Sequence, residues 1–325
     1  MSAAEYRFGF RVLGPATETR RLIDWAAAFR AYAECDNRAE CDREAYLSAF
    51  TFAGDFAEHL KATGSTAGFA GSCWAPWLWL DVDRDQLADA LDAARRLAVA
   101  AGERFGIGED DLLAFFSGSK GFHLGLPTAL WQPEPGPLFH RTARRFAERL
   151  AELAGVGIDA GVYDRVRLFR APNSRHPRTG HYKCRLIFGE LMGWNIDAIR
   201  QRAARPEAFE LPEPTGTSAD AAAEWAAAAD AVQCEAEAKA QRTATGADGG
   251  RLNRGTLEFI REGAAVNNRH RLLYSAAANL HDWGAPAGLV HELLTEAALD
   301  SGLPPSEVRR CIDNALAGGT VGGAA

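Results

Sequence analysis

Residues 77–83 read Trp77-Leu78-Trp79-Leu80-Asp81-Val82-Asp83, five apolar side chains and two acids. A short apolar run of this length is what a buried strand needs. The next segment changes period: Leu87, Leu91, Ala94, Leu97 and Ala98 recur at three- and four-residue spacing, which predicts a helix ending near Gly102. Residues 112–116 and 122–126, joined by a Gly-containing turn, predict a strand hairpin. A further helix fits 140–154, and 165–169 and 184–188 are strand candidates around a loop rich in Pro, Asn and Gly. Strands and helices mixed in this way define an α+β core.

Outward from that core, residues 18–32 and 43–60 carry apolar residues at helical spacing, so the first 75 residues or so read as mainly helical. Beyond it, 206–216 holds three prolines, and an Ala/Glu-rich stretch follows. That pattern predicts a linker with one exposed helix. Helical periodicity resumes over 254–318 (Leu272, Ala276, Leu280; Leu289, Leu293, Leu294; Val308, Ile312, Ala315). The expected organisation is an α+β domain over 1–205, an acidic Ala-rich linker over 206–250 and a helical C-terminal module over 251–325.

At 325 residues, with 47% hydrophobic and 24% charged side chains, the chain has ample material for a core and is neither disordered nor fibrous. No apolar run approaches the ~18–20 residues that span a bilayer, and the first residues lack the apolar core of a signal peptide. A cytoplasmic protein is therefore expected, with no membrane partner. Six cysteines without a CxxC pair fit a reducing compartment and argue against a zinc ribbon.

The net charge of -7 argues at first against a polyanion partner, but the charge is unevenly spread. Residues 207–250 hold nine acids and two bases, which accounts for all of it. Residues 165–185 hold seven bases (Arg165, Arg167, Arg170, Arg175, Arg178, Lys183, Arg185) and no acid. A local basic cluster matters more to a polyanion than the isoelectric point does.

Three motifs carry chemistry. Asp81 and Asp83, at i and i+2 of a strand, share a face with Cα atoms ~6.5 Å apart. Two carboxylates held on an apolar strand repel each other and lose solvation, and a divalent cation relieves both penalties. The plainer reading is a strand end, with Asp83 capping the following helix. Second comes Ser117-Gly118-Ser119-Lys120-Gly121-Phe122-His123. Its glycines permit a tight turn, and its hydroxyls, cation and imidazole suit phosphate. The spacing is not that of a P-loop, and a hairpin turn accounts for the same residues. Third is the stretch 163–180, in which Asp164 precedes a strand and a basic loop, either as a metal ligand or as an ion-pair partner of the arginines.

In this order the motifs resemble the archaeo-eukaryotic primase superfamily of primase-polymerases. The second is similar to the polymerase domain of bacterial end-joining ligases. The third, R-x-P-x-S-x-H-x-x-T-G over 170–180, is closer to true primases and to plasmid or phage primase-polymerases. The tail, from Asn267-Asn268-Arg269-His270-Arg271 through Leu280 and then 304–315, is similar to the helical C-terminal module of mobile-element primases.

The resemblance implies an RRM-like sheet packed with a second α/β lobe, followed by a small all-helical domain. It implies that Asp81, Asp83 and Asp164 hold two divalent ions, Mg²⁺ or Mn²⁺. Ser117, Ser119, Lys120 and His123 would hold the phosphates of an incoming NTP or dNTP. Arg170, His176 and Arg178 would complete the triphosphate pocket, with Arg178 standing where many relatives carry Lys. No zinc is expected. The implied activity is primer synthesis and extension on a single-stranded DNA template, as a DNA primase and DNA-directed polymerase. Any unwinding would come from a separate replicative helicase. A gap-filling or end-joining polymerase, or a catalytically silent nucleic-acid-binding replication module, are the alternatives.

Overall fold

The computed structural model describes residues 3–244, 252–265 and 268–318. Residues 245–250 of the expected linker, and residues 251, 266–267 (with Asn267 of the tail motif) and 319–325 of the expected C-terminal module, lie outside them. Two compact units divide the chain, Met1–Glu237 and Ala238–Ala325. Among the described residues no helix is long and apolar enough to cross a membrane.

The first unit runs β1 (Phe8–Leu13), β2 (Arg21–Asp24), α1 (Trp25–Ala33), β3 (Ala45–Ser48), β4 (Thr51–Phe52), α2 (Gly54–Thr63), β5 (Cys73–Trp74), β6 (Trp77–Asp83), α3 (Leu87–Phe105), β7 (Leu113–Phe116), β8 (Gly121–Pro127), α4 (Phe139–Leu153), β9 (Leu168–Arg170), β10 (Cys184–Leu186), α5 (Phe188–Gly193) and α6 (Ile196–Arg202). It ends within α7 (Ala219–Ala244). The strands form two antiparallel sheets, so the fold is α+β. One is six-stranded in the order β5-β4-β1-β3-β9, with β2 also on β1, and the other is four-stranded in the order β10-β7-β8-β6.

Burial explains the four-stranded sheet. Every residue of β8, one of its two inner strands, is buried, and β6 is buried from Trp77 to Leu80 before alternating at Asp81, Val82 and Asp83. Val82 therefore faces the core, and both acids face the other way. Helix α3 covers this sheet with Ala90, Leu91, Ala94, Leu97, Ala98, Ala101 and Phe105, and ends at Gly106, whose φ of 64° supplies the left-handed cap.

The N-terminal region differs from its helical reading. Residues 18–32 contain β2 before α1, and 43–60 contain β3 and β4 before α2. Phe10 and Val12 of β1 alternate inward as a strand requires, and Gly9 lies where a Cβ would stand 2.6 Å from Trp25 and Ser48. Short strands rich in Phe, Tyr and Leu mimic helical spacing when sequence windows run across their turns.

The acidic stretch also differs from an exposed linker helix. Trp225 of α7 is buried against Trp131, Phe139 and Phe146, and Ala221 and Ala228 are buried beside it. The acids of α7 meet arginines of α3 and α4: Arg104–Glu224 at 3.2 Å and Arg145–Glu235 at 2.7 Å.

The second unit has its own core. Helices α8 (Arg254–Glu262), α9 (Arg269–Asp282), α10 (Ala287–Asp300) and α11 (Pro305–Gly318) bury Phe259, Leu273, Leu280, Val290, Leu294 and Ile312 among themselves. Two of its arginines are engaged within it. Arg269 donates to the Gly302 carbonyl at 3.1 Å, and Arg254 pairs with Glu258 at 2.6 Å.

Candidate active site

A cleft of about 200 Å³ opens between the two sheets of the first unit. The four-stranded sheet contributes Asp81, Asp83 and His123, and its β7–β8 turn adds Ser117, Ser119 and Lys120. From the six-stranded side come Tyr46, Phe169 and Arg170, and the following loop adds His176 and Arg178. Nine of the ten expected site residues thus line one cleft; Asp164 does not. A larger groove of about 530 Å³ runs between α4 and α7, but its charges are spent pairwise, as in Arg149–Glu152 at 3.2 Å.

Register aligns the acids with the second motif: Asp81 stands opposite His123, and Asp83 opposite Gly121. A Cβ on Gly121 would collide with the Asp83 carboxylate and the Val82 carbonyl, so only glycine fits there. Burial, then the nearby charges of Asp83 and Asp159, push the Asp81 carboxyl up to about 7. Its Oδ1 is buried without a hydrogen-bond partner, and His123 Nε2 stands 3.5 Å away. Lys120 Nζ lies 3.0 Å from Asp83 Oδ2, which raises the pKa of the lysine. That pair is well exposed, so it contributes little to stability. His123 is held neutral by burial and by the charges of Lys183 and Arg170. Its ring rests 4.3 Å from that of Phe169. A neutral imidazole offers one donor and one acceptor, and its Nδ1 is also without a partner.

On the basic side, the two loops are tied together. Thr179 Oγ1 donates to the Gly118 carbonyl at 2.6 Å, and Gly118 adopts φ 86° beneath His176 and His181. His176 Nδ1 accepts from the amides of Arg178 and Thr179 at 3.3 Å each, so this nitrogen carries no proton. Burial and then Arg170 lower its pKa. Asn173, at φ 55°, anchors the loop by donating to the carbonyls of Tyr32 and Glu207 at 2.9 Å. Ser117 serves the turn as much as the cleft, since its hydroxyl accepts from the Gly121 amide at 3.2 Å.

Asp164 is exposed at the end of the short turn Ala160–Tyr163, and it acts on His140 rather than on Asp81. The turn directs it away from the cleft. Five residues earlier, Asp159 donates its amide to the Asp81 carbonyl at 2.9 Å, and its charge is felt by the Asp81 carboxyl. Asp159 caps the same turn by accepting from Gly161 N at 2.8 Å and lies 3.8 Å from Arg167. The signal for it was an acid after Ile158 and before a Gly-containing turn. Tyr46, Arg167 and Phe169 are further cleft residues that sequence reasoning did not single out for the site.

Most of the basic stretch serves the fold. Arg165 donates to the carbonyls of Phe69 and Pro137 at 3.0 and 2.8 Å, and Arg185 to those of Leu112, Ala114 and Leu186. Lys183 is fully buried, donates to the Arg170 carbonyl at 2.8 Å, and lies over the rings of Phe169, Phe115 and Trp79. Only Arg167, Arg170 and Arg178 of the seven reach the cleft.

The donor set at Asp81 and Asp83 is carboxylate oxygen, which suits Mg²⁺ or Mn²⁺. The unpartnered, buried Asp81 Oδ1 fits a cation beside it. Among the described residues no three His, Cys, Asp or Glu side chains gather into a metal-holding group, so such an ion would need further ligands from substrate or water.

No family model matches the sequence, and no curated protein matches it. Among solved structures the chain is similar to a crystal structure of primase RepB′, with 13% identity and a TM-score of 0.35 over 96% of this chain and 89% of that one. At that identity and score, no residue role carries across.

Proposed function

We propose that the chain is a template-directed nucleotidyltransferase, a DNA primase-polymerase that makes primers and extends them with nucleoside triphosphates on single-stranded DNA. The observation that carries the reading is the juxtaposition at β6. Two carboxylates, one of them with a buried and unpartnered oxygen, face a cleft whose opposite wall presents Arg170, His176 and Arg178. Acids on one wall and anion-binding groups on the other suit a triphosphate bound with divalent metal.

In this reading Asp81 and Asp83 hold the metal, with Asp159 rather than Asp164 as the neighbouring acid. When bound, two such ions supply activation of a 3′-hydroxyl and neutralisation of the leaving pyrophosphate. Lys120, Arg170 and Arg178 bind phosphate oxygens. Neutral His123 donates a hydrogen bond without adding charge, and the turn residues between Ser117 and Gly121 offer their amides to the nucleotide. Lys120 bridges to Asp83 in the free protein and is released to phosphate once the acids are neutralised.

The test is a primer-extension and de novo priming assay on single-stranded DNA with Mg²⁺ or Mn²⁺. Extension with priming is the expected result. Extension of gapped duplex alone would favour a gap-filling or end-joining polymerase, and DNA binding without any product would favour a silent replication module.

A further inference from the structure

We propose that Glu44 and Tyr46 are positioning residues, holding the Arg170 guanidinium so that one of its nitrogens is free for a phosphate group. The proposal rests on the reading of the cleft given above. Strands β3 and β9 pair so that Tyr46 stands directly opposite Arg170. The Arg170 guanidinium lies 4.9 Å from the Tyr46 ring centroid, and its Nη2 donates to the Tyr46 hydroxyl at 3.1 Å. That hydroxyl in turn donates to Glu44 Oε1 at 2.5 Å, and the same carboxylate oxygen is 3.7 Å from Arg170 Nη2.

The polarity of this relay is fixed by chemistry. A guanidinium only donates and a carboxylate only accepts, so the phenol must accept from one and donate to the other. Burial, then Glu44, raises the Tyr46 pKa, which keeps the phenol protonated and the relay intact. The Nη2 end of the guanidinium is thereby occupied by the phenol. The other edge is left over: Arg170 Nη1 is buried and has no hydrogen-bond partner.

An unpartnered, buried donor on a cation is costly unless a ligand satisfies it. Glu44 does not line the cleft, whereas Tyr46 and Arg170 do. The carboxylate therefore lies behind the arginine, where it can orient the guanidinium without meeting the phosphate. An arginine held in advance loses less side-chain entropy when it captures an anion.

The experiment measures binding of inorganic tripolyphosphate to the full chain by calorimetry, in Arg170→Met, Tyr46→Phe, Glu44→Gln and the double variant Arg170→Met/Tyr46→Phe. Arg170→Met should weaken binding most, and Tyr46→Phe and Glu44→Gln by about 10-fold each, with the fold intact by circular dichroism. In the double variant Tyr46→Phe should add nothing, because Tyr46 acts through Arg170; a merely structural role would add its own loss. Wild-type affinity in both Tyr46→Phe and Glu44→Gln, with Arg170→Met weakened, would overturn this proposal and leave the phosphate reading standing. Unchanged affinity in Arg170→Met, or no binding to the wild type, would overturn the phosphate reading and this proposal together.

Discussion

The strand end 81–83 and the stretch 165–185 both stand out in the sequence for their charge, yet the fold treats them in opposite ways. Asp81 and Asp83 both reach the cleft, while four of the seven basic residues turn to backbone carbonyls or into the core. The difference lies in the side chains. A carboxylate on an apolar strand is acceptor-only and short, so with the strand amides spent on the ladder it must find a cation or water. An arginine carries five donors on a long apolar stem and can tie down loops from the inside. Counting bases therefore overstates how many of them reach the cleft, whereas both acids of the strand end do reach it.

The hardest break in this comparison is Asp81→Asn. It should cut extension by roughly 10³-fold, the scale of losing a principal charge-stabilising group, while leaving the fold intact because a buried like charge is removed. Retained turnover in a primer-extension assay would remove the acids from the chemistry. Next in size is a contrast between two acids five residues apart. Asp159→Asn should lower extension by roughly 10²-fold by disturbing the ground beside Asp81, and Asp164→Asn should leave it near wild type. The reverse result would restore the sequence-based assignment.

The third contrast is within the basic stretch. Arg170→Met should weaken nucleotide binding by about 10- to 100-fold, as for a lost charge-assisted contact. Arg185→Met should instead lower the melting temperature, because three buried carbonyls lose their donor, with nucleotide affinity unchanged. Equal effects on affinity would mean that the whole stretch faces the ligand.

The smallest effect is on pH. Asp81 has its folded-state pKa raised to about 7 from 3.8, so between those values the folded protein binds a proton that the unfolded chain has released. Stability should therefore fall as pH rises from about 5 to 7, by about 2 kcal/mol, and Asp81→Asn should flatten that slope. Denaturant titrations at several pH values would show it, and a slope unchanged by the substitution would contradict it.

The hydrophobic run 77–83, the hairpin at 112–126 and the helical tail were legible because each has one clear period and a turn to end it. The N-terminal strands were not, since their inward residues satisfy helical spacing as well. Trp225 was hidden inside an Ala/Glu-rich segment whose composition reads as solvated, although one tryptophan and its alanine neighbours suffice to dock a helix. In the site, motif order brought out nine residues that share the cleft. Asp164 was expected beside Asp81 and Asp83 because it sits next to the arginines in sequence, whereas the turn at 160–163 leaves it exposed outside the cleft and brings the Asp159 amide to the Asp81 carbonyl. Tyr46 and Glu44 lie some 125 residues from Arg170, and only strand pairing joins them.

The central claim is that the carboxylates of β6 hold a divalent cation in a nucleotide cleft. It is tested most directly by Mn²⁺ titration of the full chain followed by electron paramagnetic resonance, with and without a nucleoside triphosphate, in the wild type and in Asp81→Asn/Asp83→Asn. The account predicts bound Mn²⁺ in the wild type, tighter when the triphosphate is present, and loss of that site in the double variant. Equal Mn²⁺ binding by both proteins would contradict it.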